Sequence, residues 1–118
     1  MKQSVTLILE GERPISWNDF YSGKHWSVRK AEADRVHWLV RSAIDPDSAA
    51  FQQPVAITVT GYFDKRPLDA SNIAAKLYED ALKGWLIADD SWRHVYSVTT
   101  QTALDRTRPR VEIQIEEV

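Results

Sequence analysis

Apolar and polar positions alternate along residues 4–10, with Val5, Leu7 and Leu9 on one side and Thr6, Ile8 and Glu10 on the other. A period of two predicts a strand, because successive side chains of a strand point to opposite faces. Residues 54–63, PVAITVTGYF, repeat the pattern with Val55, Ile57 and Val59 inward and Phe63 at the end. Pro54 takes the first position, where a missing N–H removes no ladder bond. Residues 93–102 are rich in β-branched and aromatic side chains, and residues 110–117 alternate Val111, Ile113 and Ile115. These segments predict four strands.

Between the first two strands the period changes. Ala33, Val36, Val40, Ala43 and Ile44 recur at three- and four-residue spacings, which predicts an amphipathic helix over residues 26–44 with Ser27 as its N-cap. A second helix is predicted over residues 70–83, ending at Gly84, a residue suited to the left-handed conformation beyond a helix end. At about 100° per residue, Ile73, Leu77 and Ala81 line one face with Ala70 and Ala74 beside them. Asn72, Lys76, Glu79 and Lys83 fall on the other side, and Asp80 lies at the boundary. Residues 11–26, GERPISWNDFYSGKHW, read as a loop longer than a connection needs to be, and long ordered loops often bind something. The expected fold is α/β (α+β): one compact domain over residues 1–118, order β-α-β-α-β-β, with helices packed on a mixed sheet.

Composition narrows the functional classes. The chain has 118 residues, 43% of them hydrophobic, which is ordinary for one domain with its own core. No run of about 18 apolar residues and no basic-then-apolar leader is present, so no membrane span is expected and the location is read as cytoplasmic. With no cysteine, a disulfide, a thiolate metal site and a cysteine nucleophile are all excluded. A net charge of −2 argues mildly against nucleic-acid binding, yet the basic residues are clustered. Lys24, Arg29, Lys30, Arg35 and Arg41 form one group, Lys65 and Arg66 a second, and Arg106, Arg108 and Arg110 a third. Solvated arginines balanced by acids explain the same layout. His25, His37 and His94 have no metal-ligand spacing, and no glycine-rich phosphate loop or serine elbow is present. Of the five tryptophans, Trp17 and Trp26 flank a loop carrying Asn18, Phe20, Tyr21, Lys24 and His25, a mixture suited to unpaired bases and phosphates or to a plain packing contact. Trp38 and Trp85 are expected to pack, and Trp92 to do either.

Candidate chemistry concentrates in residues 66–95, which put Asp69, Asn72, Lys76, Asp80 and the pair Asp89–Asp90 around one short helix. Acids at both ends of a helix with a lysine between them can gather oxygens around a hard cation. Each has an ordinary explanation too. Asp69 stands where an N-cap would, Asp80 is one turn from Lys76, and paired acids are common in turns.

The pattern D-x-x-N-x-x-x-K-x-x-x-D-A-L from Asp69, followed by the turn Asp89–Asp90–Ser91, resembles that of RusA-type Holliday junction resolvases, small endodeoxyribonucleases of phages and prophages. Element order, chain length and a P-x-x-x-N loop from Pro14 to Asn18 extend the resemblance over nearly the whole chain, although only Asp69 to Ser91 is specific. The resemblance implies a homodimer that binds four-way DNA junctions and cuts symmetric strands with Mg²⁺, or Mn²⁺ in its place, in DNA recombination and repair. It maps metal-binding aspartates to Asp69 and Asp90 with Asp89 close by, a functional lysine to Lys76, and an important asparagine to Asn18. Lys24, Lys65 and Arg66 are further candidates for DNA contact. Members often carry a second Asp two residues after the first; here Ser71 stands there, a weaker Mg²⁺ ligand, so Ser71, Asn72 and Asp80 join the candidate set. Two other readings stay open: a protein of this fold that binds branched DNA without cutting it, and an unrelated α/β protein in which the acids at the two helix ends lie far apart.

Overall fold

The computed structural model describes residues 2–23 and 25–118. Its elements are β1 (Ser4–Glu10), α1 (Trp17–Tyr21), α2 (Trp26–Ala43), β2 (Val55–Phe63), a 3-10 turn (Ala70–Asn72), α3 (Ala75–Leu82), β3 (Val95–Leu104) and β4 (Arg110–Glu117). The strands form one sheet in the order β1-β4-β2-β3. β4 runs antiparallel to both β1 and β2, while β3 lies parallel to β2, so the sheet is mixed and the connection through α3 is a crossover. Register puts Leu7 beside Ile113, Ile113 beside Val59 and Ile115 beside Ile57. The alternation read from sequence therefore lines one face of the sheet with apolar side chains. Val36 and Val40 of α2, and Leu77, Tyr78, Ala81 and Leu82 of α3, cover that face and complete the core. No helix among the described residues is long and apolar enough to cross a membrane.

Several local expectations are corrected. The helix expected over residues 70–83 is broken at Ile73, which has φ −75° and ψ 126° and lies between the 3-10 turn and α3. A tertiary contact outweighs local helix propensity there: the Ala74 N–H donates to the Ile15 carbonyl at 2.8 Å, and Ser16 and Ile73 form an isolated antiparallel bridge. The long loop after β1 contains the short helix α1, capped by Ser16, whose hydroxyl accepts from the Asp19 N–H at 2.9 Å. His25, not Ser27, caps α2, its Nδ1 accepting from the Ser27 N–H at 3.2 Å. β3 begins two residues later than expected and runs on to Leu104, because it pairs along the whole of β2. Glu79, assigned to the polar face, is buried. Trp38 and Trp85, expected to pack, are 71% and 50% exposed.

One glycine sets where the loop after β1 can lie. A Cβ on Gly61 would stand 2.5 Å from the Pro14 side chain, so only glycine lets the loop settle against the C-terminal part of β2.

Candidate active site

Two sequence-distant segments meet beside the N-terminal end of α3. Pro14 rests on Gly61, the Ile15 N–H donates to the buried Tyr78 hydroxyl at 3.3 Å, and Ile15 and Ser16 are tied to Ala74 and Ile73. The Asn18 N–H then donates to Asn72 Oδ1 at 3.2 Å. This brings the Pro14–Asn18 loop against the turn that carries Asp69. Asp69 takes the N-cap position of that turn, but its carboxylate makes no cap hydrogen bond; only its carbonyl accepts, from the Asn72 N–H at 2.9 Å. Capping therefore does not account for this side chain. It lines an open cleft of about 320 Å³ with Arg13, Arg66, Pro67, Leu68 and Asn72.

Lys76, on the first turn of α3, holds the other half of the candidate set. Its ammonium contacts the Asp90 carboxylate and lies 3.2 Å from Asp80 Oδ1 and 3.7 Å from Glu79 Oε1. The i,i+4 pairing with Asp80 expected from spacing is present, as an ion pair rather than an aligned hydrogen bond, since the buried Asp80 Oδ1 takes no hydrogen bond. Lys83 adds a second cation, 3.6 Å from Asp90 Oδ2 and 3.8 Å from Asp80 Oδ1. The hydrogen bond from Lys76 holds the Asp90 carboxyl well below the usual range, at about 2, and keeps the Lys76 ammonium more firmly protonated than usual. Burial pushes Glu79 in the opposite direction, upward, with Lys76 working against it. Asp89 and Ser71 are exposed.

Asp90, Asp80 and Glu79 are thus gathered around one ammonium of the protein itself, that of Lys76. Among the described residues, no group of three or more acidic or histidine side chains is placed to hold a metal ion together. Asp69 takes part in none of the ion pairs that tie Asp90, Asp80 and Glu79 to Lys76, and lies instead in the cleft with Arg13 and Arg66. All the candidate donors are oxygens, which suits a hard divalent cation, and such a cation would compete with Lys76 for Asp90.

The basic clusters are largely spoken for. Arg35 forms a bidentate pair with Glu12 at 3.2 and 3.0 Å and also contacts Glu32. Lys30 pairs with Asp34, Arg108 with Glu10, and Arg110 with Asp105 and Glu112. Lys65, Arg66 and Arg13 make none of these ion pairs, and Arg66 and Arg13 line the Asp69 cleft. Lys24 lies outside the described residues. Arg13 escaped the sequence reading, although its place directly before Pro14 was the available signal. Glu79 escaped it too: a three-residue spacing from Lys76 does not reveal that the side chain is buried.

A family model for endodeoxyribonuclease RusA matches residues 22–116. The match spans the 3-10 turn, α3 and the Asp89–Asp90 turn, but begins after the Pro14–Asn18 loop. A search among curated proteins found no match.

Proposed function

The chain belongs to the endodeoxyribonuclease RusA family, and on that premise we propose that it is a structure-selective nuclease that cuts four-way DNA junctions. The reading is supported above all by the meeting of the Asn18 loop with the Asp69 turn, at the Asn18–Asn72 hydrogen bond, four residues before Lys76. Arg13 and Arg66 line the Asp69 cleft and would receive phosphates, with the exposed Lys65 next to Arg66 in the chain. Lys76 is a firmly protonated ammonium, suited to the negative charge that builds on a phosphate oxygen as its ester bond breaks. Asn18 and Asn72 hold the loop and the turn in register. Asp69 and Asp90, with Asp89 beside the latter and Asp80 as a further donor, are the residues that would hold a divalent cation, Mg²⁺ or Mn²⁺. When bound, that ion supplies charge neutralisation and a more acidic water. Two symmetric cuts on a two-fold junction call for two copies of the site, so we place the working form as a homodimer acting in recombination and repair in the cytoplasm.

A second reading, a branched-DNA binder that does not cut, is favoured by Ser71 and by the pairing of Asp90 with Lys76. One assay separates the two: a labelled four-way junction and a matched linear duplex, incubated with Mg²⁺ or with EDTA, for the wild type and Asp90→Asn. Paired, metal-dependent nicks on the junction that vanish in the variant are expected. Tight binding without nicks supports the second reading, and neither binding nor nicks overturns both.

A further inference from the structure

Behind the last turn of α3 lies an open concavity of about 500 Å³, lined by Asp34, His37, Trp38, Arg41 and Ser42 of α2 and by Trp85. Its volume falls within the range of about 300–1,000 Å³ typical of small-ligand sites. Trp38 is 71% exposed and Trp85 50% exposed, so two indoles open into one hollow instead of completing the core. Single exposed aromatics are unremarkable on a protein surface, but two that share a concavity mark a binding surface.

The backbone holds this arrangement firmly. Gly84, at φ +78°, ends α3, and the Trp85 N–H donates to the Leu82 carbonyl at 3.1 Å. Its neighbours Leu86 and Ile87 are buried. Arg41 is anchored by its Nε donating to the Ala81 carbonyl at 3.1 Å, with its guanidinium carbon 5.4 Å from the Trp85 ring centroid. That position lets one planar cation contact an indole face and still present N–H groups to an anion.

The chemistry of the lining selects the occupant. No aliphatic side chain contributes, unlike the grooves that take amphipathic helices, which rely on apolar anchors. Asp34 is paired with Lys30 at 2.8 Å, which leaves Arg41 as the dominant charge of the rim. Flat π-faces beside a fixed guanidinium suit a base joined to a phosphate.

We propose that this concavity receives one unpaired nucleobase of a DNA strand, stacked on Trp38 or Trp85 with the adjoining phosphate against Arg41. The assignment rests on the nuclease reading for its choice of strand. Location connects the two sites: Ala81, which anchors Arg41, follows Asp80, and Lys83 reaches both Asp80 and Asp90. The hollow and the acid cluster therefore lie on either side of a single helical turn, as a base-holding site and a cutting site on one strand would require.

The experiment uses the full chain in EDTA, where cutting is suppressed, and measures the anisotropy of a fluorescein-labelled oligothymidine and of a junction with unpaired thymines at its centre. At least one of Trp38→Ala and Trp85→Ala is expected to weaken binding about tenfold, as loss of one aromatic–base stack does. Phenylalanine at that position should restore most of the affinity, and thermal melting should barely move, since both side chains are exposed. A parallel Mg²⁺ cleavage assay on the same proteins keeps the two readings separate. Normal cutting with unchanged strand affinity in both alanine variants overturns the base-holding site and leaves the nuclease reading standing. Lost affinity in a protein that never cuts supports the site and counts against the nuclease. A shift from dimer to monomer in the alanine variants, with unchanged strand affinity, would identify the hollow as a subunit interface and overturn the proposal.

Discussion

The two flanks of α3 carry similar acids in opposite electrostatic states. On the exit side, Asp90, Asp80 and Glu79 are gathered around Lys76, with Lys83 beside Asp90 and Asp80, so charge is neutralised within the protein. On the entry side, Asp69 has no cap bond and shares its cleft with Arg13 and Arg66, cations that make no ion pair among the described residues. A cluster neutralised from within presents little field to a ligand, whereas unpaired arginines lining a cleft attract phosphates. On the proposed nuclease reading, the entry side would receive the strand and the exit side would supply a preorganised cation and the acids for catalysis.

The sharpest way to break this division is to remove a carboxylate from each flank. Asp90→Asn and Asp69→Asn are each expected to lower junction cutting by at least about 10²–10³-fold, the usual cost of losing one preorganised group. Junction binding should hold or strengthen, because a negative charge leaves the DNA surface. Gel-shift and cleavage assays run side by side test this. Equal loss of binding and cutting in Asp69→Asn would show that the turn needs the carboxylate to fold.

The arginines of the entry side give a smaller effect with a different signature. Arg13→Ala and Arg66→Ala should each weaken junction binding several-fold and reduce the slope of log affinity against log salt by about 0.9. Arg108→Ala, which removes a cation already paired with Glu10, should leave that slope unchanged. Equal slopes in all three variants would remove the distinction between paired and unpaired cations. Ser71→Asp should raise activity or metal affinity if the missing family carboxylate is limiting, measured as cutting against Mg²⁺ concentration. No gain would mean that Asp80, Asp89 or solvent already fills the position.

How much of this was legible from sequence varied with the range of the interaction. Alternation around Val5, Ile57 and Ile113 located the strands correctly, because burial on one face imposes a period of two whatever the neighbours are. The order of elements followed in the same way. The break at Ile73 was hidden, since a hydrogen bond from Ala74 to Ile15, nearly sixty residues earlier in the chain, outweighs propensity that otherwise favours a helix. The spacing of Lys76 and Asp80 predicted their contact, a local event on one helix. The contact between Lys76 and Asp90 depends instead on the path from Gly84 to Asp89, which no periodicity encodes. Apolar character alone suggested that Trp38 and Trp85 pack. Their exposure depends on which face of α2 meets the sheet, for Trp38, and on how the turn after α3 is directed, for Trp85.

The smallest predicted effect tests the exit side through pH. Burial raises the Glu79 pKa in the folded chain, so between its ordinary value and the raised one the folded state binds more protons than the unfolded state. The contribution of this group to stability is therefore complete below its unfolded pKa and is lost as pH rises through the folded one. Asp90 behaves in the opposite sense: with its folded pKa lowered to about 2, its contribution is present above the unfolded value and lost as pH falls. Glu79→Gln removes only the first of these, so melting in EDTA should show a Tm gain of a few degrees at pH 7 and little change near pH 4. The variant also takes one acid away from Lys76, leaving its ammonium shared between Asp80 and Asp90. A Tm that falls at pH 7 would mean that the Glu79–Lys76 attraction outweighs the cost of burying the carboxylate, and the exit side would then be held together by its charges rather than in spite of them.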